Sequence, residues 1–180
     1  MSPLRAALES ALADNPDDLA SHMAYADLLA DEGDPRGEFI QVQLALEDPG
    51  RGATERAGLK RREEELLARH QAEWIGEAAP VFVWPRKWTH DNRDSWPFGL
   101  TDLDHSFQPF WFTRGWIEYL DLPDFNGPFA EALGRSPTIR LLRHLTIRNC
   151  DDDDPGYDRL AAWPDLGHVR TFQLDRKSVV

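Results

Sequence analysis

Cysteine, histidine and clustered carboxylate side chains mark where this chain could do chemistry. Cys150, the single cysteine, follows His144 closely, and such a pair can form a thiolate nucleophile with its base. Asp151, Asp152, Asp153 and Asp154 offer the hard oxygen donors that calcium prefers. His90 and His105 stand near Asp91, Asp94, Asp102 and Asp104, residue types that ligate metals or shuttle protons. Each pattern falls short of its chemistry. A calcium loop of EF-hand type needs an acidic or amide residue where this chain has Pro155 and a glutamate where it has Ala162. The histidine spacing fits no ligand set, and one cysteine closes no intrachain disulfide and builds no thiolate cluster for zinc. Phosphate loops, dinucleotide turns, paired zinc histidines and nucleophile elbows have no match. The expectation is therefore no catalytic residue, no metal and no cofactor. Asp151–Asp154 read as a solvated turn, the histidines as exposed or hydrogen-bonded loop residues, and Cys150 as a buried, inert thiol.

Charge narrows the partners. Twenty Lys and Arg stand against 32 Asp and Glu, a net charge of −12. A phosphate backbone binds through clustered cations that release its counterions, so nucleic acid is excluded, and anionic lipid by the same sign. Lys60-Arg61-Arg62 is followed at once by Glu63-Glu64-Glu65, which reads as a solvated helix face. The first residues reach Glu9 before any signal-like apolar run, and no stretch approaches the roughly 18 apolar residues of a membrane span. These features predict a soluble, cytoplasmic protein, with 41% hydrophobic residues and seven Trp sufficient for a core.

The elements that must carry these residues differ between the two ends of the chain. Leu4, Ala7, Leu8, Ala11 and Leu12 recur at helical spacing behind Ser2 and Pro3, which predicts a first helix ending at Pro16. A second helix starts at Asp17 or Asp18, buries Leu19, Met23, Ala26 and Ala30 with Tyr25 and Leu29 beside them, and ends on Gly33. Asp34 caps a third helix carrying Phe39, Ile40, Val42, Leu44 and Leu46, with Arg36 free to pair with a nearby carboxylate. A fourth runs from about Thr54 to Trp74. Residues 1–78 thus read as all-helical. Residues 79–110 hold Trp84, Trp88 and Trp96 among prolines without sustained period, an aromatic connecting segment that serves as hydrophobic glue or, alternatively, as the pocket of a small-ligand binder or enzyme.

From residue 111 one apolar pattern repeats: Ile117-x-x-Leu120-x-Leu122, Leu142-x-x-Leu145-x-Ile147 and Val169-x-x-Phe172-x-Leu174. The last positions are 25 and 27 residues apart, within the period of leucine-rich repeats, about 20 to 29 residues. Short helix candidates, Pro128–Gly134 and Tyr157–Trp163, lie between the strand motifs, and Cys150 falls in the turn that follows the second. Alternation points Leu120, Leu122, Leu145, Ile147, Phe172 and Leu174 inward. It places Tyr119, Asp121, His144, Thr146, Arg148, Thr171, Gln173 and Asp175 on the open concave face.

Several separated segments resemble a known family. Tyr25-Ala26-Asp27-Leu28-Leu29-Ala30-Asp31-Glu32-Gly33-Asp34-Pro35-Arg36-Gly37-Glu38-Phe39-Ile40-Gln41-Val42-Gln43, with Glu64–His70, Glu73–Gly76 and Phe112-Thr113-Arg114-Gly115-Trp116-Ile117-Glu118, is similar to the bacterial repeat-companion domain that precedes leucine-rich repeats in planctomycete and myxobacterial proteins. Leu28 stands where that family often has Trp. The resemblance implies an α+β chain in which an N-terminal all-helical unit caps a short leucine-rich-repeat-like solenoid, and it carries over no catalytic residue.

The combined expectation is a noncatalytic protein-protein interaction module that binds a protein on the eight concave-face residues. Only Arg176–Val180 follow the third strand, so the layer of Phe172 and Leu174 is also expected to form an open edge closed by self-association or by another protein.

Overall fold

The computed structural model describes residues 2–82, 110–122, 126–150, 156–163 and 166–176. It is an α+β protein with helices at the N-terminal end and a small open sheet. The chain runs α1 (Pro3–Asp14), α2 (Leu19–Asp31), α3 (Pro35–Glu47), α4 (Ala53–Ile75), a 3-10 turn and α5 (Ala79–Phe82), then β1 (Phe110–Thr113), β2 (Trp116–Leu122), α6 (Gly127–Gly134), β3 (His144–Cys150), α7 (Gly156–Ala161) and β4 (Thr171–Arg176). Two compact units divide it: residues 1–71 with Phe112–Trp116, and residues 72–111 with 117–180.

In the first unit the helix starts are set by side-chain caps. Ser2 accepts from the Arg5 amide, Asp18 from Ala20 and Ser21, and Asp34 from Arg36, each filling orphan donors of a first turn. Gly33, at φ 76°, supplies the left-handed residue between α2 and α3. The two helices then cross closely at Gly37: a Cβ there would lie 2.5 Å from Ala30 N and 2.6 Å from Ala26 O. The buried stripe of α2 is His22, Tyr25, Ala26 and Leu29. This corrects the expected face, because Leu19, Met23 and Ala30 are exposed. His22 replaces Met23 in the stripe, its Nε2 lying 2.9 Å from the Pro16 carbonyl oxygen.

Tyr25 is the centre of this unit. Its hydroxyl donates to Glu9 Oε1 at 2.8 Å and accepts from Arg36 Nη2. Arg36 is buried and pairs with this phenol rather than with the carboxylate expected for it. Its guanidinium lies 5.4 Å from the Tyr25 ring centre and 5.0 Å from that of Trp116, which stacks on Tyr25 at 5.4 Å. Ring faces attract a desolvated cation, which compensates Arg36 Nε for its lack of a hydrogen-bond partner.

Trp116 arrives through a two-residue hairpin. Arg114 (φ 49°) and Gly115 (φ 79°) are both left-handed, the signature of the turn type whose twist matches paired strands. Gln43 of α3 reads this turn as a strand would: Nε2 donates to the Phe112 carbonyl at 3.0 Å, and Oε1 accepts from the Gly115 amide at 2.8 Å. Arg114 adds a two-point ion pair with Glu47, both contacts at 2.7 Å. Ile40 packs so closely that any Cβ on Gly115 would overlap it.

In the second unit the strand order is β1-β2-β3-β4. β2 and β3 pair in parallel, as do β3 and β4, with α6 and α7 in the two crossovers. Asn126 caps α6 through the Phe129 amide, and the Trp163 indole donates to the Ala130 carbonyl at 3.0 Å. Thr138 ties three segments: its carbonyl accepts from Ile117 at 2.8 Å and its hydroxyl donates to the Trp74 carbonyl at 3.0 Å. The register aligns Leu120 with Leu145 and Phe172, and Leu122 with Ile147 and Leu174. On β2 and β3 these residues are completely buried. Phe172 (49% exposed) and Leu174 (45%) are not buried as the alternation predicts; among the described residues β4 lies at the end of the strand order and pairs with β3 alone. Cys150, expected in a turn, is the last residue of β3, where a register shift lets it pair with Arg176.

Burial pushes the Tyr25 phenol up to about 12, the Glu9 carboxylate adding to the rise and Arg36 opposing it. A folded-state value above the ordinary 10.0 leaves stability intact below pH 10 and removes it as pH climbs through 12. Urea titrations should show wild type losing about 2 to 3 kcal/mol across that window, a loss absent from Tyr25→Phe. At neutral pH the same variant should be about 1 to 3 kcal/mol less stable, since Glu9 and Arg36 lose their shared partner. Gly115→Ala should lower the unfolding free energy by about 1 to 3 kcal/mol in the same titration, through left-handed strain and overlap with Ile40.

Candidate functional site

The face of the sheet opposite the buried layer carries aromatic and polar side chains. Alternation along β1 turns Phe110 and Phe112 inward and leaves Trp111 48% exposed. Trp111 lies flat on Tyr119 of β2, ring centres 3.8 Å apart and planes 3° from parallel. His144, the register partner of Tyr119 on β3, follows at 6.4 Å, and Thr171 on β4 completes the row. Asp121, Thr146 and Gln173 form the next row along the strands.

Arg148 reaches from β3 into that second row. Its Nε and Nη2 donate to the two oxygens of Asp121 at 2.8 and 2.6 Å, the fork geometry that makes arginine-carboxylate pairs directional. The Tyr119 hydroxyl lies 3.4 Å from the same carboxylate. Asp121 is consequently buried, which corrects its expected place among the side chains open to a partner: its charge is spent inside the protein. Arg148 stays exposed and so presents the outward half of the pair, with its guanidinium already oriented.

Of the eight residues expected on this face, Tyr119, His144, Asp121, Thr146, Thr171 and Gln173 fall in the two rows, with Asp121 buried beneath the Arg148 guanidinium. The backbone of Asp175 belongs to β4. Trp111 was not among the eight, although β1 alternates as the other strands do and the exposed position follows from that alternation. Asp151–Asp154, His90, His105, Trp84, Trp88 and Trp96 lie outside the described residues. Among the described residues, no three His, Cys, Asp or Glu side chains gather in a way that could hold a metal ion, and no helix is long and apolar enough to cross a membrane.

No protein-family model matches the chain, and no similar curated protein or solved structure matches it.

The buried and exposed halves of the Asp121–Arg148 pair should respond unequally to substitution. Arg148→Met strands a buried carboxylate and should cost about 3 kcal/mol. Asp121→Asn frees a guanidinium that can turn to water, and should cost only about 1 kcal/mol. Chemical denaturation at neutral pH checks the ranking, which equal losses would contradict.

Proposed function

We propose that this chain is a noncatalytic protein-interaction module whose partner lies across the Trp111–Tyr119–His144 face of the sheet. The observation that carries the reading is an exposed tryptophan stacked on a tyrosine whose register partner is a histidine, beside an arginine held in place by a buried carboxylate. Tryptophan, tyrosine and arginine dominate binding energy at protein interfaces. Side chains already fixed in one geometry lose little further freedom on binding. The polar Thr146, Thr171 and Gln173 around them match the wetter rim of such a contact.

The sheet with its two helical crossovers is, in this reading, a short leucine-rich-repeat-like solenoid. Its support is the alignment of Leu120, Leu145 and Phe172, and of Leu122, Ile147 and Leu174, at repeat spacing. The repeat-companion resemblance supports it too, since Tyr25, Arg36, Gly37, Gln43, Gly115 and Trp116, drawn from two distant motif segments, converge in one cluster. β4 offers a second contact for the same partner or for another copy: its outer backbone edge is a template for strand pairing, with half-exposed Phe172 and Leu174 beside it.

The test is affinity capture from the native cell lysate with tagged wild type and a Trp111→Ala/His144→Ala/Gln173→Ala variant whose fold is verified by circular dichroism. These positions avoid the buried carboxylate, so the variant should fold. A protein retained by wild type and lost by the variant is the expected result. Equal retention by both, or no specific protein, would rule out the sheet face.

A further inference from the structure

A second surface lies in the helical unit and owes nothing to the sheet. Leu19 and Met23, one turn apart on α2, are 49% and 54% exposed. They form one wall of an open groove of about 280 Å³, with Leu44 and Ala45 of α3 as the other apolar side chains. Leu19 and Met23, one turn apart, facing Leu44 and Ala45 make an apolar trough that can receive the stripe of an amphipathic helix, and a flexible methionine adapts to what it meets.

The rim has a definite sign. Asp27 closes one end, accepting from Gln41 at 3.0 Å, and Asp48 closes the other. Arg51 is the cation lining the groove, and it is engaged by Asp48 at 3.7 Å and by Glu55. Residues 17–32, which contain the whole outer wall, carry Asp17, Asp18, Asp27, Asp31 and Glu32 and neither Lys nor Arg. An apolar floor with an acidic rim selects against acidic segments and favours apolar residues flanked by cations.

We infer that the groove between α2 and α3 is a docking site for a short basic amphipathic helix of a partner protein. Leucine-type side chains at i and i+4 of that helix lie between Leu19, Met23 and Leu44, and its Lys or Arg residues meet Asp27 and Asp48. The site is independent of the sheet face, and losing one leaves the other intact.

Fluorescence anisotropy with a labelled peptide of Leu and Lys, about five helical turns long with Leu at every third and fourth position, tests this at physiological ionic strength. Wild type should bind it at least about tenfold more tightly than a scrambled peptide of the same composition, and should not bind the peptide with Glu for Lys. Leu19→Gln/Met23→Gln should lose about tenfold or more, whereas Leu4→Gln, at an exposed position of α1, should lose nothing. All these side chains face solvent, so the variants should melt with wild type. Equal affinity for the scrambled peptide, an equal loss in Leu4→Gln, unchanged binding by the double variant or no binding at all would overturn the inference. So would sedimentation showing a wild-type dimer that the double variant converts to monomer, since a second copy would then occupy the groove.

Discussion

The constraint on which the helical unit depends is the docking of a two-residue turn on α3. Arg114 and Gly115 adopt left-handed conformations, Gln43 takes up one carbonyl and one amide of the hairpin, and Trp116 closes over Arg36 and Tyr25. Each contact restricts the next. Any side chain on Gly115 would push the turn off Ile40, and moving the turn would strip Gln43 of both partners. Trp116 is also the first residue of β2. In a strand a slip of one residue exchanges the two faces. Along β2, Leu120 and Leu122 are buried while Tyr119 lies on the other face, and parallel register sets Tyr119 beside His144 and His144 beside Thr171.

The outer face then resolves a conflict between charge and burial. The chain is strongly acidic, yet a carboxylate in the middle of the sheet would be costly without a counter-charge. Arg148 answers with two hydrogen bonds, which hides Asp121 and leaves a guanidinium in view. Beside it Trp111 shields Tyr119 and offers its own free face. The surface that results is less acidic than its sequence suggests, and aromatic in a line across strands. In the helical unit the groove of Leu19, Met23 and Leu44 has Asp27 and Asp48 at its rim, α2 carries neither Lys nor Arg, and the lining cation Arg51 is shared between Asp48 and Glu55.

Much of the fold was legible in the residues, and the failures have physical causes. Caps at Ser2, Asp18 and Asp34, with the glycine at Gly33, placed helix ends because they act through local hydrogen bonds that sequence spacing displays. The strand motifs and the faces of Leu120, Leu145 and Ile147 followed from alternation. The α2 face was misread because its apolar residues offer two competing stripes, and the one that won recruits polar His22 through the Pro16 carbonyl. Arg36 was expected to seek a carboxylate, but its partners are a phenol and two aromatic rings, one of them 80 residues away in the chain. Asp121 was misread for a similar reason: its burial depends on Arg148, 27 residues further on, and alternation says nothing of such reach. Phe172 and Leu174 alternate as their counterparts do, yet burial needs a neighbour on both sides of the strand. Of the candidate site, the two cross-strand rows were readable; Trp111 required only that the same alternation be applied to β1.

Site-specific photo-crosslinking in the source cells tests the central claim, that the outer sheet face is where this protein meets another. A photoreactive residue at Thr146 or Gln173 should give discrete protein adducts, and the same residue at Glu64, exposed on α4, should give none of them. Adducts shared with Glu64, or none from either strand position, would contradict the account.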